Sequence, residues 1–248
     1  MRAFIYWGGW DGHDPELVAN RFKQILENEG FEVVLMQNKK DEEGHCPLPK
    51  EEEFYKSFDL IVPVDTGGNL PGDRSRAICH AVASGVGIAG CHGGMCDAYR
   101  NDTEWQFMTG GQWVSHPGGD GMEYAVNIRR GSSPIIDGLE DFPVKSEHYY
   151  LHVDPSIEVL ATTRFPLKAA VYMHASNKPI DMPVVWTKYW GVGRVFYSSL
   201  GHHDDVFDKS PTAQEIQRRG MLWAAAGKAE NERNGFTVEK YENSAKMY

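Results

Sequence analysis

A chain of 248 residues with 41% apolar and 24% charged side chains has the size and make-up of one large α/β domain. Its formal net charge of −10 argues against a nucleic-acid partner, because phosphate binding needs a basic face. Cys46, Cys79, Cys91 and Cys96 contain no CxxC pair and do not read as a disulfide framework, which points to a reducing, cytoplasmic setting. The opening apolar run is too short for a signal-peptide core, and no stretch is long enough to span a bilayer, so no membrane is expected.

In chain order, Ala3 to Trp7 reads as the first strand, and the loop Gly8 to His13 follows it. Asp14-Pro15 opens a helix, with Asp14 expected as N-cap and Pro15 where its missing N–H does no harm. Leu17, Val18, Phe22, Ile25 and Leu26 make its apolar stripe, and Gly30 stops it. Phe31 to Leu35 is a second strand, which completes a βαβ unit and implies parallel pairing. Asn38 to Lys50 is polar and reads as a surface loop. Asp59 to Val64 is a third strand, and Pro71 to Ser84 a helix.

The next segment organises the chain. Val86, Ile88 and Ala89 form a short apolar strand that runs into Gly90-Cys91-His92-Gly93-Gly94, ahead of a helix-capable segment. Gly-x-His-x-Gly has the shape of a nucleophile elbow, in which a tight strand-to-helix turn pushes one side chain into the open. His92 stands where an acyl-transfer enzyme carries Ser or Cys. The alternation of strands and helices predicts a doubly wound sheet, whose ligands lie outside the carboxyl ends of the strands. The loops bearing His13, the end of the third strand and the elbow are expected to converge there.

Asn101 to Gly121 reads as an irregular lid or pocket wall and contains His116. Further strands are expected at Tyr124 to Ile128, Phe142 to Lys145, Val159 to Thr163, Ala169 to Met173, Pro183 to Trp186 and Arg194 to Leu200. A final helix is expected at Thr212 to Ala226. The domain is expected to span residues 1–227, with a charged tail, surface-packed or mobile, over 228–248.

Several residues suit chemistry. A neutral imidazole at His92 fits proton abstraction or metal ligation; the alternative is a structural histidine beneath the helix start. Cys91, one residue earlier, points to the opposite face and is expected to be buried. His202 follows the Arg194 to Leu200 strand, and Asp204 two residues on would orient it, as the acid of a triad orients its imidazole. Glu147 is a candidate buried carboxylate. His13, Trp10, His116 and Gly93 are candidate substrate contacts, the Trp10 ring being suited to stacking on a sugar. No HxH or HExxH spacing occurs, so a divalent cation such as zinc would draw its ligands from separate loops.

Gly90-Cys91-His92-Gly93-Gly94, Ser133-Pro134-Ile135-Ile136-Asp137-Gly138-Leu139, Glu147-His148-Tyr149, Pro183-Val184-Val185-Trp186-Thr187 and Met221-Leu222-Trp223-Ala224-Ala225 resemble the trehalose-utilisation (ThuA-like) family. The most specific stretch is Gly193-Arg194-Val195-Phe196-Tyr197-Ser198-Ser199-Leu200-Gly201-His202. The resemblance implies a flavodoxin-like, mostly parallel sheet similar to class I glutamine amidotransferases, without their nucleophile. It also implies a role in carbohydrate metabolism and nominates His13, His92, Glu147 and His202. Three readings follow. The first is an enzyme, a hydrolase, lyase or isomerase of a sugar or keto-sugar, with His92 and His202 sharing acid/base work. The second is a sugar-binding or regulatory module without chemistry. The third is an amidotransferase that depends on Cys91. The expected partner is a small carbohydrate, and self-association is left open.

Overall fold

Strand β1 (Arg2–Gly9) is apolar on both faces, and so it lies inside the protein. Phe4 and Tyr6 enter one core cluster, and Ala3 and Ile5 enter the other. The computed structural model describes residues 1–131, 133–165 and 179–238. Within it, β1 pairs in parallel with β2 (Glu32–Asn38) on one side and β3 (Leu60–Thr66) on the other. β3 pairs in parallel with β4 (Gly87–Cys91), and β4 with β11 (Gly193–Ser198). Four antiparallel strands extend this half: β10 (Ile180–Trp190), β9 (Glu158–Phe165), β6 (Met122–Ile128) and β7 (Phe142–Ser146). Among the described residues the sheet order is thus β2-β1-β3-β4-β11-β10-β9-β6-β7. β5 (Gly111–Ser115) and β8 (Tyr150–Val153) form a separate antiparallel ribbon.

Helices cover both faces. α1 (Pro15–Asn28) turns Val18, Phe22 and Leu26 inward at helical spacing, and α7 (Pro211–Asn234) adds Ala213, Ile216 and Ala224 to the same core. On the other face lie α2 (Glu52–Lys56), α3 (Gly72–Ala83) and α5 (Thr103–Thr109), which contribute Tyr55, Ile78, Val82, Trp105 and Met108. Two short helices remain, α4 (Gly93–Cys96) after β4 and α6 (Asp205–Lys209) before α7. Among the described residues, no helix is long and apolar enough to cross a membrane.

The structure departs from the sequence reading in places. The segment 101–121 is not an irregular lid. The Asp102 carboxylate caps α5 by accepting the Trp105 N–H at 3.0 Å, and β5 follows. Asp14 does not cap α1: its φ is +47°, and its side chain faces His203 Nδ1 at 3.2 Å. The Pro183 to Trp186 strand is the middle of the longer β10. Buried Lys188 lies inside that strand, matched by Asp154 at 2.8 Å. The tail expected from Lys228 is helical through Asn234. Lys228 Nζ donates to the carbonyls of Lys56 and Phe58 at 2.7 and 3.0 Å, and Arg194 pairs with Glu230 at 2.7 Å. The strand expected at Ala169 to Met173 lies outside the described residues.

Candidate functional site

The parallel strands β1, β3, β4 and β11 all end on one edge, and each delivers a group to one point. After β1 a 3-10 turn, Asp11–His13, folds the His13 ring inward. β3 ends at Thr66, whose Oγ1 meets His13 Nδ1 at 2.8 Å. β4 ends at Cys91 and is followed at once by His92, and the turn after β11 carries His202. Glu147 arrives from the antiparallel half, on the loop between β7 and β8, where its carbonyl accepts from Tyr124 Oη at 2.9 Å.

His92 has the elbow geometry. Its φ of +47° and ψ of −135° lie where L-residues are strained. The turn is held by the His92 N–H donating to the Ser198 carbonyl at 2.7 Å and by Tyr197 Oη donating to the His92 carbonyl at 3.0 Å. Glycine follows because α4 crosses β3 closely. A Cβ on Gly94 would lie 2.9 Å from the Val64 Cα, and one on Gly93 would lie 2.6 Å from Thr66 Oγ1 and 2.8 Å from the His13 ring. Gly93 therefore makes room for the cluster.

The four groups meet at one carboxylate oxygen. Glu147 Oε2 lies 3.3 Å from His92 Nε2, 3.3 Å from His202 Nδ1 and 3.8 Å from His13 Nε2. The His92 ring stacks on His13 at 4.7 Å between centroids and lies 5.1 Å from His202 and 3.9 Å from Tyr149. All four residues are buried, with His92 only 2% exposed. Four of their polar atoms, His92 Nδ1 and Nε2, Glu147 Oε2 and His202 Nδ1, have no hydrogen-bond partner among the described residues. The other carboxylate oxygen, Oε1, is hydrogen-bonded to His116 Nδ1.

The electrostatics favour neutral rings. Burial, then the neighbouring imidazoles, push His13 down to about 3. Burial and the nearby His203 push His202 down to about 4, and burial followed by the adjacent histidines holds His92 well below its usual range. Burial raises the Glu147 carboxyl. The cluster lies one side chain below the surface. Trp10 (57% exposed) has its ring 4.8 Å from His13, and His116, Asp120 and His203 complete the rim. Asp120 Oδ1 lies 3.7 Å from His202 Nε2.

Among the residues named from sequence, His13, His92, Glu147 and His202 come together, with Gly93 beneath them and Trp10 and His116 at the edge. Asp204 does not join them. Its carboxylate is gripped by Arg21 at 2.6 and 2.8 Å, so it ties α6 to α1 and does not orient His202. Cys91 is buried, and burial pushes its thiol up to about 12, far from a thiolate nucleophile. His148 is sandwiched between the Tyr124 and Phe165 rings at 4.2 and 3.7 Å and belongs to the core. Sequence reasoning missed Thr66 and Asp120. Thr66 had one usable signal, a hydroxyl at the carboxyl end of a predicted parallel strand.

Neutral imidazoles and a carboxylate on one point can pass a proton, and they are also the donor types of a transition-metal site. The sequence matches the model of the ThuA family, described as trehalose utilisation, over residues 2–224. No curated protein matches it significantly. Among solved structures, a ThuA-like protein from Parabacteroides merdae is similar at 21% identity and a TM-score of 0.71, over 92% of this chain and 91% of that one. A ThuA-like protein from Bacteroides uniformis follows at 18% identity and 0.65, over 91% of each chain. A cytoplasmic protein from Salmonella typhimurium LT2 is similar at 14% identity and 0.62, over 96% of this chain and all of that one (100%). These likenesses concern the fold, whereas the family match runs along nearly the whole sequence, and this chain belongs to the ThuA family.

Proposed function

We propose that this protein is an enzyme of carbohydrate metabolism that acts on a sugar or keto-sugar at the His13–His92–Glu147–His202 cluster. In this reading the fold is a flavodoxin-like, class I glutamine amidotransferase-like sandwich whose elbow carries an imidazole. The elbow dihedrals of His92 and the parallel order β2-β1-β3-β4-β11 support that kinship. The observation that carries the proposal is the convergence of three imidazoles and one carboxylate under an exposed tryptophan, at the carboxyl ends of parallel strands. The Trp10 ring supplies a stacking face for a pyranose, and Asp120 and His203 supply hydrogen-bonding groups at the same rim.

The chemistry suits proton transfer next to a sugar carbonyl, or hydrolysis of a keto-sugar glycoside. His202 Nε2 faces the rim at Asp120 and is the ring atom placed to meet a substrate. His116, 40% exposed and bonded to Glu147, joins the buried carboxylate to solvent and carries protons between them. The family description and the cytoplasmic Salmonella neighbour support an intracellular role with a small carbohydrate as partner.

Turnover of keto-disaccharides by the purified protein tests this reading. Glu147→Gln and His92→Ala are each expected to lower kcat by about 100-fold or more. Wild-type rates in both variants would remove the cluster from the reaction. A second reading, a sugar-binding module without chemistry, draws on the near-complete burial of His92. Calorimetric sugar binding with no product over long incubation would favour it.

A further inference from the structure

We propose that His13, His92, Glu147 and His202 bind one divalent transition-metal ion of the zinc class. The proposal deepens the reading above and rests on it for the chemistry, while ion binding itself stands on the geometry. One ligand atom from each residue lies within 4.8 Å of the others, and all four residues are buried. A tetrahedral ion with ligands at 2.0–2.1 Å spaces them about 3.3–3.4 Å apart. Glu147 Oε2 sits 3.3 Å from His92 Nε2 and from His202 Nδ1, and 3.8 Å from His13 Nε2. Two of these three spacings already match, and the third closes with a small ring movement.

Three of these ligand atoms, His92 Nε2, His202 Nδ1 and Glu147 Oε2, are buried without a protein hydrogen bond. Left so, each has lost its hydration without a compensating bond. A single cation accepts all three lone pairs at once. The outer contacts also fit. His13 Nδ1 lies 2.8 Å from Thr66 Oγ1, and with Nδ1 as the donor there Nε2 is left as the ligand. Glu147 is held through Oε1 by His116, which leaves Oε2 for the ion. Ligation of His202 through Nδ1 leaves its Nε2 at the rim beside Asp120. Three imidazoles and one carboxylate select a borderline ion over magnesium or calcium, which prefer all-oxygen sites. A water taken up as a fifth ligand would be acidified by the ion and supply the base for the sugar chemistry.

The test uses the full chain, stripped with a chelator and then titrated with Zn²⁺ and Co²⁺. Calorimetry and elemental analysis are expected to give one ion per chain, and Co²⁺ a visible spectrum of low-coordinate nitrogen/oxygen ligation. Glu147→Gln and His92→Ala are expected to abolish stoichiometric binding. Thr66→Val, which keeps all four ligands and releases His13, is expected to weaken it by about 10- to 100-fold with unchanged circular dichroism. The exposed group Asp41, Glu43 and His45 is the competing surface site, and His45→Ala is expected to leave binding intact. Loss of binding in His45→Ala, or full affinity in Glu147→Gln and Thr66→Val, would overturn the proposal. If the Glu147 variant does not fold, the Thr66 affinity decides. Ion binding without sugar turnover would leave the site standing and remove the proposed reaction. Turnover that survives chelation would take the ion out of the reaction, and the calorimetric stoichiometry would still decide the site.

Discussion

The backbone at His92 makes a sign prediction. In an ordinary segment, replacing alanine by glycine costs about 0.5–1 kcal/mol, because glycine loses more freedom on folding. His92 has φ +47° and ψ −135°, where any residue with a Cβ pays about 1–3 kcal/mol. The turn is over-determined by the Ser198 and Tyr197 hydrogen bonds, so the strain cannot relax by rotation. His92→Gly and His92→Ala both remove the ring, along with its contacts to His13 and Tyr149. Their difference therefore isolates the backbone. Subtracting the entropy cost from the strain leaves His92→Gly more stable than His92→Ala by about 1 kcal/mol, or roughly 2–4 °C in Tm for a chain of this size. Thermal and urea melts of the two variants in chelator measure it. An alanine variant that melts at or above the glycine variant would refute the claim that strain is stored at the elbow.

Two further outcomes follow from charged groups away from the cluster. Asp204→Asn breaks the two-pronged contact with Arg21 and is expected to cost about 1–2 kcal/mol in urea unfolding while changing kcat by less than about twofold; a large kcat loss would return Asp204 to the site. Glu215 is held down at about 2 by hydrogen bonds first from Arg218 and then from Arg219, against an ordinary value of 4.5. A depressed carboxylate stabilises fully above 4.5, and its contribution is lost as pH falls toward 2. The pair is about a third exposed, so solvent screening reduces the contribution to about 1 kcal/mol. Glu215→Gln is expected to lower stability by that amount at pH 7, and the gap is expected to narrow in melts taken at successively lower pH below 4.5; a constant gap would refute the assignment.

The parallel half of the sheet was legible because its inner strands, β1, β3, β4 and β11, are buried on both faces and must be largely apolar. Ala3 to Trp7 and Asp59 to Val64 announce themselves that way. The elbow was legible because a strand running into three glycines around one histidine has few other uses. Local polarity hid other elements. α5 begins at an aspartate within a stretch rich in glycine and glutamine, and its stability comes from burying Trp105 and Met108. β10 carries Lys188 inside the protein, and the distant Asp154 and the Phe107 carbonyl make that tolerable. Asp204 misled because nearness in sequence to His202 suggested a pair. In three dimensions α6 turns the carboxylate toward α1, where Arg21 outcompetes a neutral imidazole for it.

Glu147 could be named as a candidate carboxylate, but its place in the site could not be read from the strand pattern. Three of its imidazole neighbours, His13, His92 and His202, sit at the ends of parallel strands, a placement that the doubly wound pattern dictates. The carboxylate comes from outside that pattern, from the turn between the last antiparallel strand of the sheet and the β5–β8 ribbon. The antiparallel extension therefore does more than widen the sheet. It swings the chain back over the carboxyl edge of the parallel half, and Tyr124 and His116 fix the loop there through the carbonyl and one oxygen of Glu147. Without that arm the parallel half would present three buried neutral rings and no anion. With it, one oxygen faces all three rings, an arrangement that can pass a proton or hold a cation.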